Sequence, residues 1–371
     1  MGATVMSLLD YYRQFEGMSE EEVNAELREE ADERKRKALM RVETLDLSQT
    51  TWPELAHPSI VSAITFVARR GMQRYPHLRG SQLHDELAER HGVDSARVIL
   101  GNGAAELLSS ATRALLEPGQ RLLSAWPSYP LFPIMARRAH GQAVRVAGGI
   151  DALLEEARTP GTRVIAIASP NDPTGELLPR AELERLLDGL PDDVAVLLDE
   201  SLVEFADAQP LNSSLELAAE HSRLFVVRSF SKAWGLAGLR VGYAIGGPGS
   251  EELLAELQPD LGVSEVSQAG ALEALRTCTE IVSRRVAAIA RERAVVTEGL
   301  RERGFEVADS QANFVWAAHP SIDGGELSAR LSRAGILVAG GAALGEPSHV
   351  RIALRDSRAS GRLLDALDKS L

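Results

Sequence analysis

Seven short apolar runs punctuate the middle of the chain, at residues 98–100, 121–125, 143–146, 164–168, 194–198, 224–227 and 241–245. Several lack polar residues at alternate positions. A strand with one face in water alternates, so an unbroken apolar run implies a strand covered on both faces. Such strands occur in series when a mostly parallel sheet carries helices on either side. The stretches between the runs agree with this. Residues 104–116 carry a helical pattern, and so do residues 179–187, with Pro179 near the first turn, where a missing N–H costs little. After about residue 250 the rhythm changes. A long helical region runs to about Arg303, strands follow near 305–307, 313–317, 336–338 and 350–354, and a helix closes the chain.

The expected fold class is therefore α/β, with a large mostly parallel domain over residues 51–255 and a small α+β domain over residues 256–371. At ~150 residues per domain, a length of 371 is compatible with that division. Residues 19–40 read as a charged helix. Ser19 and Glu22 form a capping-box pair, acids precede bases, and the apolar stripe of Val23, Leu27 and Ala31 is thin. The expectation for residues 1–50 is a solvated or partly docked helical arm contributing to the small domain.

Composition removes several classes of function. Hydrophobic residues at 44% and charged residues at 25% match a folded globular chain. A net charge of −13 argues against nucleic-acid binding, which needs basic surface to displace counterions. The one cysteine, Cys278, excludes a disulfide framework and is expected to pack as a small apolar group. No run is apolar and long enough to span a membrane. The start of the chain lacks a signal-peptide pattern, and Met6 stands where a myristoylation pattern needs Ser or Thr. A cytoplasmic protein is expected.

Ligands of open α/β sheets bind beyond the carboxyl ends of the strands, and four segments there carry unusual chemistry. Gly101-Asn102-Gly103-Ala104-Ala105 ends a strand and opens a helix, whose free N–H groups suit a phosphate. The same turn could be a plain tight turn or a degraded dinucleotide fingerprint. Ser169-Pro170-Asn171-Asp172-Pro173-Thr174-Gly175 is a loop stiffened by two prolines, either an ordinary turn or a means of aiming Asn171. Asp199 closes an apolar strand and must be paired or hydrogen-bonded there. In Ser229-Phe230-Ser231-Lys232-Ala233-Trp234-Gly235-Leu236-Ala237-Gly238-Leu239-Arg240, two serines, a lysine and an arginine make a compact anion cup without the Walker spacing. A lysine for an aldehyde, an acid for a pyridine nitrogen and a cradle for a phosphate together describe the needs of pyridoxal 5'-phosphate.

From about Leu45 onward the chain resembles the fold-type-I pyridoxal-phosphate aminotransferases of class I/II, nearest the histidinol-phosphate aminotransferase-like branch. The Ser-Phe-Ser-Lys-Ala-Trp-Gly-Leu-Ala-Gly-Leu-Arg and Pro-Asn-Asp-Pro-Thr-Gly segments carry the likeness. The resemblance implies that Lys232 forms the Schiff base and shuttles the proton, and that Asp199 pairs with the ring nitrogen. It implies that Asn171 bonds the ring's 3-oxygen and that Tyr129 stacks on the ring. The phosphate would be held by the Ala104 and Ala105 amides, Ser229, Ser231 and Arg240, with Tyr75 reaching the phosphate of a partner subunit. Arg351 would hold the substrate carboxylate with Asn313 nearby. The implied partners are an amino acid, a 2-oxo acid and a second copy of the chain in a homodimer with shared active sites.

Three positions depart from the family pattern. Leu202 follows Ser201 where a tyrosine is usual, the loop before the first proline reads Thr50-Thr51-Trp52-Pro53, and Ala339 stands where an arginine is usual. Trp52 and Ala339 would face the substrate, which is therefore expected to lack a phosphate and to be apolar or aromatic. Histidinol-phosphate transamination, decarboxylation or another amino-acid modification on the same cofactor stay open, as does a nicotinamide-dependent oxidoreductase using the 101–103 turn. A cofactor-sensing regulator is disfavoured by the acidic charge. His77, His84 and His91, seven residues apart, are too distant to share a metal and read as solvated. Trp234 and Trp316 read as core or interface residues.

Overall fold

The apolar runs become the strands of one sheet. In the computed structural model, which describes residues 44–76, 81–258 and 262–371, twelve strands follow one another along the chain. They are β1 (Leu45–Leu47), β2 (Val98–Gly101), β3 (Arg121–Ala125), β4 (Gln142–Val146), β5 (Thr162–Ala168), β6 (Ala195–Asp199), β7 (Leu224–Ser229), β8 (Gly242–Gly246), β9 (Glu306–Val307), β10 (Phe314–Ala318), β11 (Ile336–Gly340) and β12 (His349–Ala353). Seven form a sheet in the order β2-β8-β7-β6-β5-β3-β4. The pairs β4–β3, β3–β5, β5–β6 and β6–β7 are parallel, whereas β8 runs antiparallel to both β7 and β2. The expected α/β class with a mostly parallel sheet is the one found.

The missing polar alternation has the cause inferred for it. Val196 and Leu198 of β6 enter one apolar cluster, while Ala195 and Leu197 enter another on the opposite face. Helices cover both sides, so a central strand such as β6 needs apolar residues on both faces, whereas the edge strand β4 leaves Gln142 and Arg145 exposed. The free thiol of Cys278 is buried within the first cluster, as expected of a small apolar group.

A second sheet has the order β1-β11-β12-β10-β9, with antiparallel β10–β12, β10–β9 and β11–β12 pairs. The helices Thr279–Arg301, Gly324–Arg333 and Ser357–Ser370 pack around it. Trp316 is buried there and stacks on His349 at 4.8 Å. Residues 46–371 form one compact unit. The charged helix expected at 19–40 and His77 lie outside the described residues.

Two histidines correct the sequence reading. His84 is buried, its Nε2 2.9 Å from the Val98 carbonyl oxygen, and His91 is half-buried, its Nε2 3.0 Å from the Tyr243 hydroxyl. Their spacing puts them on the face of the helix Gln82–His91 that packs inward, so they fasten that helix instead of meeting water. Burial lowers the His91 pKa to about 4, helped by the charges of Arg228 and Arg90.

Candidate active site

Loops leaving the carboxyl ends of β3, β5, β6 and β7 converge on one cavity. It is lined in part by Tyr129 after β3, Pro170 and Asp172 after β5, Asp199 and Leu202 at the end of β6, and Lys232 after β7. Ala104 and Ala105 close another side. These two residues begin the helix Ala104–Leu115, which has no side-chain cap. Glu106 instead reaches back to accept from the Asn102 N–H at 2.6 Å. The helix start thus presents backbone donors toward the cavity, the arrangement that favours an anion.

Close backbone packing shapes this end of the site. Gly103 has φ +86°, and a Cβ there would fall 2.4 Å from Arg240 Nη2. Gly242 lies opposite both Gly101 and Ser229 in the sheet, and a Cβ on it would meet the Ala104 nitrogen at 2.7 Å. Arg240 itself adopts a left-handed backbone, with φ +53° and ψ 59°, a conformation that costs energy in a residue bearing a Cβ. Its guanidinium donates to Ser231 Oγ at 3.3 Å and to the Asn102 carbonyl at 3.3 Å. Ser229 Oγ accepts from the Ser231 N–H at 3.0 Å. The structure therefore brings Ala104, Ser229, Ser231 and Arg240 into one cradle.

Lys232 and Asp199 are the ionisable pair at the centre. Burial lowers the lysine pKa, opposed first by the negative charge of Asp172 and then by that of Asp199. Lys232 Nζ donates to Thr50 Oγ1. Asp199 is buried, and burial raises its pKa against hydrogen bonding from Ser201, whose N–H donates to Oδ1 at 2.9 Å. A desolvated carboxylate facing a cavity favours a cationic partner there. Tyr129 lines the same space and meets Phe132 in a T-shaped pair, and burial pushes its hydroxyl up to about 12. An amine, a buried carboxylate, an aromatic face and an anion cradle around one cavity fit pyridoxal phosphate.

Other expected residues do not line this cavity themselves. Asn171 does not line this cavity. Its Nδ2 donates to the Pro127 carbonyl at 3.0 Å and to Thr174 Oγ1 at 2.9 Å, and its Oδ1 accepts from Ser128 Oγ at 2.6 Å. With its amide spent on joining two loops, the neighbouring Asp172 is the residue that faces inward. Trp52 packs against Gly235 on the lysine loop, with the Arg285 guanidinium 4.7 Å from its ring centroid and Nε1 donating to Glu54. A cation takes the aromatic face that the sequence reading assigned to substrate. Asn313 is buried and donates from Nδ2 to the Thr50 carbonyl at 2.9 Å, acting on the site through Thr50. Arg351 pairs with Asp172. Tyr75 is 83% exposed and makes no part of this cavity.

Sequence reasoning missed Thr50 and Asp172 as site residues. Asp172 stood inside the quoted loop motif, one position from the residue chosen, and its charge was the available signal. Thr50 stood in the Thr50-Thr51-Trp52-Pro53 segment, where Trp52 was the residue chosen.

Residues 43–367 match the family described as aminotransferase class I and II. An aromatic amino acid aminotransferase from Streptomyces coelicolor is 36% identical over 278 residues, 73% of this chain and 76% of its own. A histidinol-phosphate aminotransferase from Pseudomonas aeruginosa is 35% identical over 305 residues, 81% of this chain and 82% of its own. The crystal structure of a histidinol-phosphate aminotransferase from Sinorhizobium meliloti, in complex with pyridoxal-5'-phosphate, superposes with a TM-score of 0.79 at 25% identity, covering 88% of this chain and 90% of that one.

Proposed function

The chain belongs to the class I and II aminotransferases, and on that premise we propose that it moves the amino group of an apolar or aromatic amino acid to a 2-oxo acid. It is a pyridoxal-phosphate-dependent transaminase with the type I fold. The nicotinamide alternative falls with this family membership. Its turn also lies on the wrong kind of strand, because β2 meets only the antiparallel β8, and a dinucleotide turn belongs to a parallel βαβ unit.

Pyridoxal phosphate, when bound, supplies an aldehyde for amine exchange and a ring that accepts electrons from the substrate's α-carbon. Lys232 Nζ would be the covalent attachment point, and the freed amine would carry the proton from the substrate's α-carbon to the cofactor's carbon. Burial favours its neutral form, which is the form able to accept a proton. Asp199 would keep a proton on the ring nitrogen by ion pairing. Arg240, Ser229, Ser231 and the Ala104 and Ala105 amides would bind the phosphate. Tyr129 would cover the ring and exclude water from one face. Asn171 fastens the loop that carries Asp172, and Asn313 fixes Thr50 against Lys232. Arg351 takes the substrate carboxylate.

One observation carries the substrate reading. Ala339 is the cross-strand partner of Arg351, so the nearest position on β11 adds no second cation for a phosphate. The buried Leu202 adds an apolar wall to the cavity, and the relatives named for aromatic amino acids support the same class. The test compares kcat/KM for phenylalanine, leucine and histidinol phosphate. Phenylalanine or leucine should lead, and a clear preference for histidinol phosphate would overturn the reading.

The homodimer belongs to the proposal as well. Large apolar side chains left exposed gather between Leu55 and Tyr75, including Val61, Phe66 and Met72. Exposed apolar side chains concentrated on one segment are a surface that a second copy would cover. Sedimentation of the loaded enzyme at micromolar concentration tests it, and a monomer would remove the role proposed for Tyr75.

A further inference from the structure

Asp172 is shared by two cations, Lys232 and Arg351. It lines the cavity with Lys232, and its Oδ1 accepts from Arg351 Nη1 at 2.5 Å. The two side chains are 16% and 13% exposed, so water and salt screen little of their attraction. The charge of Asp172 also reaches Lys232, Tyr129 and Asp199, favouring the protonated form of each. Arg351 Nη2 donates to the Ser48 carbonyl at 3.1 Å, and its buried Nε has no partner among the described residues. The guanidinium assigned to the substrate carboxylate is therefore already matched in charge by a carboxylate of the chain itself.

We propose that Asp172 is an internal counter-ion that sets the affinity of the site for carboxylates. This rests on the reading of Arg351 as the carboxylate partner. An incoming carboxylate gains the remaining Arg351 donors but meets a like charge already seated beside them, and like charges at close range oppose binding. A carboxylate alone then contributes little net affinity, and contacts to the substrate side chain must supply most of it. Small polar amino acids and simple carboxylic acids are held weakly, while a large apolar side chain compensates. Asp172 thus favours bulky substrates through Arg351 without touching their side chains.

The variant Asp172→Asn keeps the shape and an acceptor for Arg351 Nη1 and removes only the charge. The probe is 3-phenylpropionate, a carboxylate with no amine to react, titrated calorimetrically into the pyridoxal-phosphate-loaded enzyme. Asp172→Asn should tighten its binding ~10-fold or more, the scale of one close charge pair in a partly buried site. KM for phenylalanine should fall by a similar factor, a larger change than that in kcat. Asp172→Ser should shift both in the same direction, which covers the case in which the asparagine variant folds poorly. Arg351→Ala should weaken the probe and abolish the gain that Asp172→Asn otherwise brings. Unchanged or weaker probe binding in both charge-removal variants, with Arg351→Ala still weakening it, would overturn the counter-ion. Probe binding indifferent to Arg351→Ala would instead overturn the assignment of Arg351 itself, and the counter-ion with it.

Discussion

Lys232 Nζ and Thr50 Oγ1 are hydrogen-bonded across 182 positions of sequence. Thr50 is held in turn through its carbonyl by Asn313, beside β10. The lysine after β7 therefore rests against a segment anchored to the other sheet, and its position depends on residues far from the loop that carries it.

Replacing Lys232 by Ala should reduce turnover by ~10⁴-fold, the upper range for loss of a positioned general base, with the melting temperature little changed. Borohydride reduction of the loaded wild-type enzyme followed by peptide mass spectrometry should find the pyridoxyl group on Lys232. Labelling of another lysine would remove Lys232 from the centre of the site.

Asp199→Asn should still bind the cofactor and lose ~10²-fold or more in kcat, the usual consequence of deleting a preorganised charge-stabilising group. An amide cannot hold the ring nitrogen protonated. Near-normal turnover would reduce Asp199 to a partner of the Ser201 N–H.

Gly103→Ala tests the anion cradle. Its Cβ would collide with Arg240 Nη2, and φ +86° is strained for any residue with a Cβ. The expected result is cofactor affinity weaker by ~10-fold or more, since a charge-assisted hydrogen bond contributes ~1.5–3 kcal/mol, with far-ultraviolet circular dichroism unchanged. Retained affinity would place the phosphate elsewhere.

Glu204→Gln should change how stability depends on pH. Glu204 Oε1 accepts from Trp234 Nε1 at 3.0 Å, two residues beyond Lys232, and its Oε2 is buried without a partner among the described residues. Burial pushes the carboxyl up to about 7 from 4.5. The folded state keeps the proton between those values while the unfolded chain releases it, so stability falls as pH rises through that window and stays reduced above it. Glutamine keeps the acceptor for Trp234 and carries no charge. The variant should be more stable than wild type by on the order of 1–3 kcal/mol at pH 8 and equal to it near pH 4. An equal difference at both pH values would refute the titration.

The large sheet was legible because burial on both faces writes itself into consecutive residues, as in Val196, Leu197 and Leu198. Strand direction was not, since the apolar runs of β2 and β8 look the same whichever way they point. That Lys232 and Asp199 would meet at one cavity, with Arg240 beside Ser231 and Asn102, was legible from their place at strand ends in a specific motif. Asn171 and Asp172 were not separable by sequence because adjacent turn residues face different ways, and the hydrogen bonds that claim Asn171 come from Pro127 and Ser128. Trp52 misled because the cation that occupies its ring belongs to a helix more than two hundred residues later. His84 and His91 misled because a seven-residue spacing fixes a helix face without saying whether that face points inward.

The groups that would grip the cofactor come from the seven-stranded sheet, whereas Arg351 lies on β12 and Asn313 just before β10. On the proposed reading, the partner of the substrate carboxylate and the lysine chemistry are thus written in different parts of the gene. A chimaera could take residues 305–355 from a relative with another preference and leave the lysine loop untouched. The joints that such a graft must match at the site are Arg351 with Asp172 and Asn313 with Thr50, so a swap that ignores residues 50 and 172 would carry over the new pocket with the old charge balance.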